Sequence, residues 1–275
     1  MRVTVVGAKG IIGSHLVDLI KRQPDLELIE TDRGYKIQPN FDYGIVVYCA
    51  GITVNYQNYG TVDAHVVHLN EWLERAMYSK IIYLSSTRIY NGLTEGNEAT
   101  ERFVVSAGDF YNQTKLLGES IVRFSCRRPY VIVRPSHVLA YTPHAPTFFW
   151  TVLRQAREQG KIELEESAEM SRNYIVIYDL VRILLFFARS DCSGIYNVCS
   201  ASNVSNHEIV EIIKNFAPFL PIQFGPKNLL IPQLSNQNLM RIYDDCLLNV
   251  LSVMHEFCEL FLDKSEGILK KGTTK

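Results

Sequence analysis

Val3-Thr4-Val5-Val6-Gly7-Ala8-Lys9-Gly10-Ile11-Ile12-Gly13 stands at the start of the chain and decides its class. The first four residues are a mostly apolar run that stops at a glycine, the pattern of a parallel strand buried on both faces. From Ile11 onward, Ile12, Leu16, Leu19 and Ile20 recur at helical spacing, and Pro24 marks the end. Between strand and helix lies G-x-x-G-x-x-G. Gly7 allows the tight turn out of the strand. Gly10 lets the backbone approach a pyrophosphate, and Gly13 lets the helix pack closely on the strand. The first helical turn, Ile11 and Ile12, offers free N–H groups and a partial positive charge to the anion.

Working outward, the same alternation continues. Residues 26–29, 44–49, 80–84 and 130–133 read as strands, and 66–77 and 111–124 as helices. Repeated strand–helix–strand units with short connections predict an α/β protein of the Rossmann type, a doubly wound parallel sheet with right-handed crossovers. Residues 32–43 are too few for a full helical crossover, so the sheet is pared down there. The polar stretch 91–109 reads as a surface loop. Beyond Ser136, prolines break the pattern, and helices at 148–158 and 246–262 stand between irregular segments. The expected organisation is a dinucleotide-binding domain over 1–136, with 173–198 returning to it. Residues 137–172 and 199–275 then form a small mixed C-terminal substrate lobe.

Composition narrows the class further. At 47% hydrophobic and 21% charged over 275 residues, the chain can bury a full core. Its 28 Lys+Arg against 29 Asp+Glu give a net charge of −1, which supplies no counterion-release drive toward DNA or RNA. The apolar run 183–188 is far shorter than the roughly 20 residues a membrane span needs. No signal-peptide pattern opens the sequence. Six cysteines form no C-x-x-C, and several of them lie in or beside apolar segments and read as buried thiols, which points to reducing cytoplasm. His65 and His68 lack a third ligand at zinc spacing, so they read as partly buried helix histidines and no metal is expected.

Tyr111-Asn112-Gln113-Thr114-Lys115 is Y-x-x-x-K, which on a helix sets both side chains on one face. A phenol titrates near pH ~10 and is a poor base at neutrality. A nearby ammonium favours the phenolate, so Tyr111 can exchange a proton with a substrate oxygen while hydride moves to or from a nicotinamide. Ser86 stands at the carboxyl end of a strand, where open α/β sheets place their ligands, and could hold that oxygen. Asp32 follows the second strand at the distance where a carboxylate bonds ribose hydroxyls, which argues for NAD. Arg33 beside it, with Lys9 in the turn, could instead hold a 2′-phosphate, so NADP stays open.

This combination resembles the extended short-chain dehydrogenase/reductase superfamily, the branch of nucleotide-sugar epimerases, dehydratases and ketoreductases. The glycine turn 7–13 is similar to the family's cofactor turn. Tyr48-Cys49-Ala50-Gly51 resembles the strand and small residues, Ala50 and Gly51, that pass beside the cofactor. Leu84-Ser85-Ser86-Thr87-Arg88-Ile89-Tyr90 resembles the segment with the catalytic Ser or Thr, which falls on Ser86. Tyr111 to Lys115, continuing to Glu119, is similar to the Tyr–Lys helix. Arg134-Pro135-Ser136-His137-Val138 resembles the segment joining the lobes, and Gly194-Ile195-Tyr196-Asn197-Val198 the last core strand. Arg172-Asn173-Tyr174-Ile175 with Asp179 resembles the Arg-Asp-Phe stretch, whose Arg contacts the nucleotide-sugar diphosphate.

The resemblance implies catalytic Ser86, Tyr111 and Lys115, substrate contacts from Ser86, Thr87, His137 and Arg172, and a homodimer formed through the helices that include Tyr111's. Arg172 is expected on a loop leaning over the cleft. The departures matter as well. Dehydratases of this family carry an acidic pair directly after the Ser/Thr, and here Thr87 and Arg88 cannot replace it. A C4 epimerase or ketoreductase remains. A cofactor-sensing regulator without catalysis and a reductase of non-sugar carbonyls are the rival readings.

Overall fold

The computed structural model describes residues 1–52, 59–90, 99–101, 109–125, 127–228 and 232–262. The expected surface loop 91–109 lies outside them except for 99–101 and 109. The chain forms two compact units. The larger comprises 1–139, 173–202 and 232–247, and the smaller 140–172, 203–231 and 248–275. Residues 137–139, 199–202 and 232–247, read from the sequence as part of the small lobe, lie in the larger unit.

The larger unit is built on strands β1 (Arg2–Val6), β2 (Glu27–Thr31), β3 (Ile45–Tyr48), β4 (Lys80–Leu84), β5 (Tyr130–Pro135) and β9 (Gly194–Val198). They pair in parallel in the order β2-β1-β3-β4-β5-β9. A parallel sheet covered on both faces needs apolar residues on every position, and β3 and β4 are buried throughout. Helix α1 (Ile11–Lys21) buries Gly13, Leu16, Val17 and Ile20, and it packs against α6 (Ile177–Arg189). The run 183–188, too short for a membrane, lies in α6, where all of it but Phe186 is buried. No described helix is long and apolar enough to cross a membrane.

Three helical pieces take the place of the single helix expected over 66–77: α2 (Tyr59–Val62), a π turn over Asp63–Val67, and α3 (His68–Arg75). With α4 (Phe110–Ser125), they set Leu69, Trp72 and Val122 against Val46, Tyr48, Ile81, Tyr83 and Ile132. Alternate residues of β3 and β4 thus serve this core and the opposite one. The pared-down crossover after β2 holds as read. In place of a helix, Tyr35, Ile37 and Phe41 pack on the core, with Tyr35 stacked on Trp72 at 6.1 Å.

A second pairing inside this unit joins β6 (His137–Leu139) in parallel to Tyr174, Ile175 and Val176 of β8 (Ser171–Val176), whose first two residues are counted with the smaller unit. The smaller unit holds α5 (Phe148–Arg154), which runs into a π turn over Gln155–Gln159, then β7 (Ile162–Glu166), β10 (Asn203–Ser205), α7 (Asn206–Lys214), β11 (Ile222–Lys227) and α9 (Val250–Leu262). The short α8 (Gln237–Met240) belongs to the larger unit. Strands β7 and β11 pair in parallel, and Trp150 stacks on Phe257 at 5.8 Å. Helix α9 starts later than the sequence pattern suggested, because 246–249 precede the first helical turn.

Candidate active site

The glycine turn is built as its spacing demands. Gly7 sits at φ +86°, and a Cβ there would stand 2.8 Å from Ala50 N. A Cβ on Gly13 would stand 2.1 Å from Gly7 O. Gly10 caps α1 in an extended conformation and brings no side chain to the first-turn N–H groups. An uncapped helix start with a glycine-lined approach fits a dinucleotide pyrophosphate. Gly13→Ala forces α1 off β1 against a backbone oxygen that has no flexible end to move. We expect about 1–3 kcal/mol of lost stability, together with weakened NAD binding. Chemical denaturation and fluorescence titration read both, and an unchanged affinity would remove Gly13 from the turn's function.

Asp32 follows β2 directly. Its Oδ1 accepts Gly34 N–H at 3.2 Å, and its Oδ2 pairs with Lys9 Nζ at 2.5 Å. Lys9 therefore stands with Asp32, whose carboxyl it holds below the usual range. Arg33 is exposed beside the pair.

Ser86 follows β4, and its Oγ accepts Arg88 N–H at 3.1 Å, closing the short turn Thr87–Tyr90. Thr87 is buried and donates its hydroxyl to Pro135 O at 3.2 Å. Tyr111 lies in the first turn of α4. Asp109, just before that helix, accepts Asn112 N–H at 2.8 Å and caps it. Arg88 binds Asp109 at 3.1 Å and lies over the Tyr111 ring at 5.6 Å. One turn on, Lys115 is buried, donates to Leu84 O at 2.9 Å and stands 5.9 Å from the Tyr111 ring centre. Burial pulls Lys115 down to about 7, against the opposing influence of Glu119 and Cys49. The end of β4, Tyr111 and Lys115 are thus brought together.

The sequence reading missed the depth of His65. It is fully buried, edge-on to Tyr111 with ring centres 5.4 Å apart, and bonded to Thr114 Oγ1 at 3.0 Å. Burial, with Lys115 adding to it, drives its pKa down to about 2, so the ring is neutral. A Cβ on Gly51 would meet His65 Nε2 at 3.3 Å and Lys115 Nζ at 3.5 Å. No local signal marks His65, since its partners lie 13 and 49 residues away. His68 is half-buried as read, and burial lowers its pKa. Among the described residues, no group of three or more His, Cys, Asp or Glu could hold a metal.

The two remaining expected substrate contacts are His137 and Arg172. His137 is exposed on β6, its ring 5.7 Å from that of Tyr174. Arg172 is on β8 and not on a loop, and it is buried. Its guanidinium stacks 3.7 Å over Phe148, donates to Asn206 Oδ1 at 2.9 Å and pairs with both oxygens of Glu166 at 2.5 Å. A buried guanidinium needs a carboxylate, and Glu166 at the end of β7 supplies one. The expected cleft-side cation is therefore an internal ion pair of the smaller unit.

Residues 41–199, more than half of the chain, match the NAD dependent epimerase/dehydratase family. The chain belongs to that family. The match takes in Ala50, Gly51, Ser86, Tyr111, Lys115, His137 and Arg172, and it begins after the glycine turn. No curated protein sequence matches significantly. Solved structures share the fold of this family member over nearly its whole length. UDP-glucuronic acid 4-epimerase from Bacillus cereus, with UDP-glucuronic acid and NAD, is 16% identical with a TM-score of 0.80, covering 96% of this chain and 99% of that one. RMD from Pseudomonas aeruginosa, complexed with NADPH, is 17% identical with a TM-score of 0.77, covering 96% and 99%. dTDP-glucose 4,6-dehydratase from Bacillus anthracis, with NAD, is 15% identical with a TM-score of 0.79, covering 97% and 98%.

Proposed function

We propose that the protein is an NAD(P)-dependent oxidoreductase acting at C4 of a nucleotide-activated sugar, as an epimerase or a ketoreductase. The observation that carries this reading is the convergence of Tyr111 and Lys115 on the end of β4 beside Ser86, in a member of the epimerase/dehydratase family. The nucleotide-sugar ligands of the neighbours support the substrate class.

The bound dinucleotide supplies hydride exchange. Gly7, Gly10, Ile11, Ile12 and Gly13 would hold its pyrophosphate, Asp32 its ribose hydroxyls, and Ala50 and Gly51 would pass beside it. Tyr111 gives a proton to the substrate oxygen or takes one from it. The Lys115 ammonium favours the phenolate form of Tyr111. Ser86 holds the same oxygen in line, and Thr87 and His137 remain substrate-side candidates. Arg172 is left out of this reading because Glu166 and Asn206 already hold its guanidinium. Dehydration stays disfavoured, since Arg88 is tied to Asp109 and Thr87 to Pro135.

The deciding test incubates the protein with NAD(H), NADP(H) and a panel of nucleotide sugars and keto-sugars, and follows products by NMR. Turnover of none would overturn the reading in favour of a cofactor-sensing regulator. The nucleotide released on denaturation separates the two versions: retained NAD marks an epimerase, and an empty site a ketoreductase.

Asp32 decides between cofactors. Its carboxylate accepts ribose hydroxyls and repels a 2′-phosphate, so NAD(H) binds at least as well as NADP(H). Removing charged-acceptor bonds costs about 1.5–3 kcal/mol, so Asp32→Ala weakens NAD roughly 10- to 100-fold. NADP gains relatively, because Lys9 is released. A strong parental preference for NADPH, seen in the same titration, would shift the weight to Lys9 and Arg33.

A homodimer is supported by Phe110, Leu117 and Phe124, which are exposed at seven-residue spacing along α4. Light scattering reads the mass. The free thiols among the described residues, Cys49, Cys192, Cys199, Cys246 and Cys258, support a reducing, cytoplasmic compartment.

A further inference from the structure

Three hydrogen bonds run in one line from the turn after β3 to the first turn of α4. Ile52 N–H donates to His65 Nε2 at 3.4 Å. His65 Nδ1 meets Thr114 Oγ1 at 3.0 Å, and Thr114 Oγ1 donates to Tyr111 O at 2.9 Å. A neutral imidazole that accepts on Nε2 carries its hydrogen on Nδ1. That hydrogen is what Thr114 accepts, since the threonine's own is spent on Tyr111 O.

The backbone around His65 is specially shaped. Trp72 Nε1–H donates to His68 Nε2 at 3.2 Å, leaving His68 Nδ1 beside the Tyr48 hydroxyl at 3.0 Å. The Tyr48 hydroxyl donates in turn to Ala64 O at 2.6 Å. His68 N–H reaches back five residues to Asp63 O, which makes the π turn, and the next carbonyl, Ala64 O, takes the Tyr48 hydroxyl. Such single π turns are frequent at functional sites, and the described residues hold a second one over Gln155–Gln159. The titratable groups that face the His65 ring are Tyr111, edge-on, and Lys115, whose Nζ lies over the same glycine, Gly51.

We propose that His65 is a positioning residue, a neutral Nδ1–H imidazole that ties the turn Ala50–Ile52 to the Tyr111–Lys115 helix. The proposal rests on the functional reading above, in which Ala50 and Gly51 flank the cofactor and Tyr111 moves the proton. Their separation is the reaction geometry, and a misplacement of about 1 Å can cost roughly 100-fold in rate.

His65→Phe keeps a ring of similar shape and loses both bonds, whereas His65→Gln keeps a donor and an acceptor. His65→Phe is expected to lower kcat about 10- to 100-fold, with KM and NAD affinity within about threefold of the parent. His65→Gln recovers most of the loss. Thr114→Val, which cuts the same line, combines non-additively with His65→Phe. Nitrogen NMR of histidine-labelled protein, assigned by the signal lost in His65→Phe, shows the neutral Nδ1–H form from about pH 5.5 to about pH 8. Turnover in His65→Phe within about twofold of the parent, equal loss in both variants, or a ring that charges near pH ~6.5 would each overturn the proposal. If the parent turns over no nucleotide sugar, the functional reading fails separately. The NMR form then decides His65 alone: persistence of Nδ1–H upholds the tie, and its titration breaks it.

Discussion

Tyr111→Phe lowers turnover by about 10²–10⁴-fold, the range for loss of a positioned proton-transfer group, and leaves NAD affinity unchanged. The phenol ring stays in its place, because Arg88, His65 and Lys115 all contact the ring. Only the hydroxyl is removed, so the loss falls on the chemical step. Steady-state kinetics with cofactor titration measure both quantities. Near-normal turnover would remove Tyr111 from the reaction and take the Y-x-x-x-K reading with it.

Glu119→Ala costs about 3–5 kcal/mol of stability, the usual penalty for breaking a buried ion pair from one side. Glu119 accepts Arg134 Nε at 2.8 Å and Nη2 at 2.6 Å, and both side chains are buried. Arg134 Nη1 also donates to the Tyr90 hydroxyl at 2.6 Å, which donates to Asn197 Oδ1 at 2.8 Å. Removing Glu119 strands the guanidinium in the core, where burial opposes the charge that Glu119 sustains. Most domains hold only about 5–15 kcal/mol in total, so the variant unfolds at much lower denaturant. A cost below about 1 kcal/mol would show that Arg134 finds another acceptor or water. Tyr90 closes the turn that begins at Ser86, so the same network steadies one wall of the proposed site.

Local sequence was sufficient wherever a contact is made between neighbours in the chain or along one helix. The glycine turn, the order of strands and helices through Pro135, the pared-down crossover at 32–43 and the shared face of Tyr111 and Lys115 all follow from periodicity and spacing. Each depends on repeats that a short stretch carries by itself. Tertiary structure decided what depends on distant partners. His65 meets Thr114 and Ile52, the π turn meets the Tyr48 hydroxyl, and Lys9 pairs with Asp32, all through partners far away in the chain. Arg172 shows the limit most plainly. Its motif suggested a cation for a diphosphate. Burial on β8 favours a carboxylate partner for the guanidinium, and that the partner is Glu166 is decided by the tertiary placement of the end of β7.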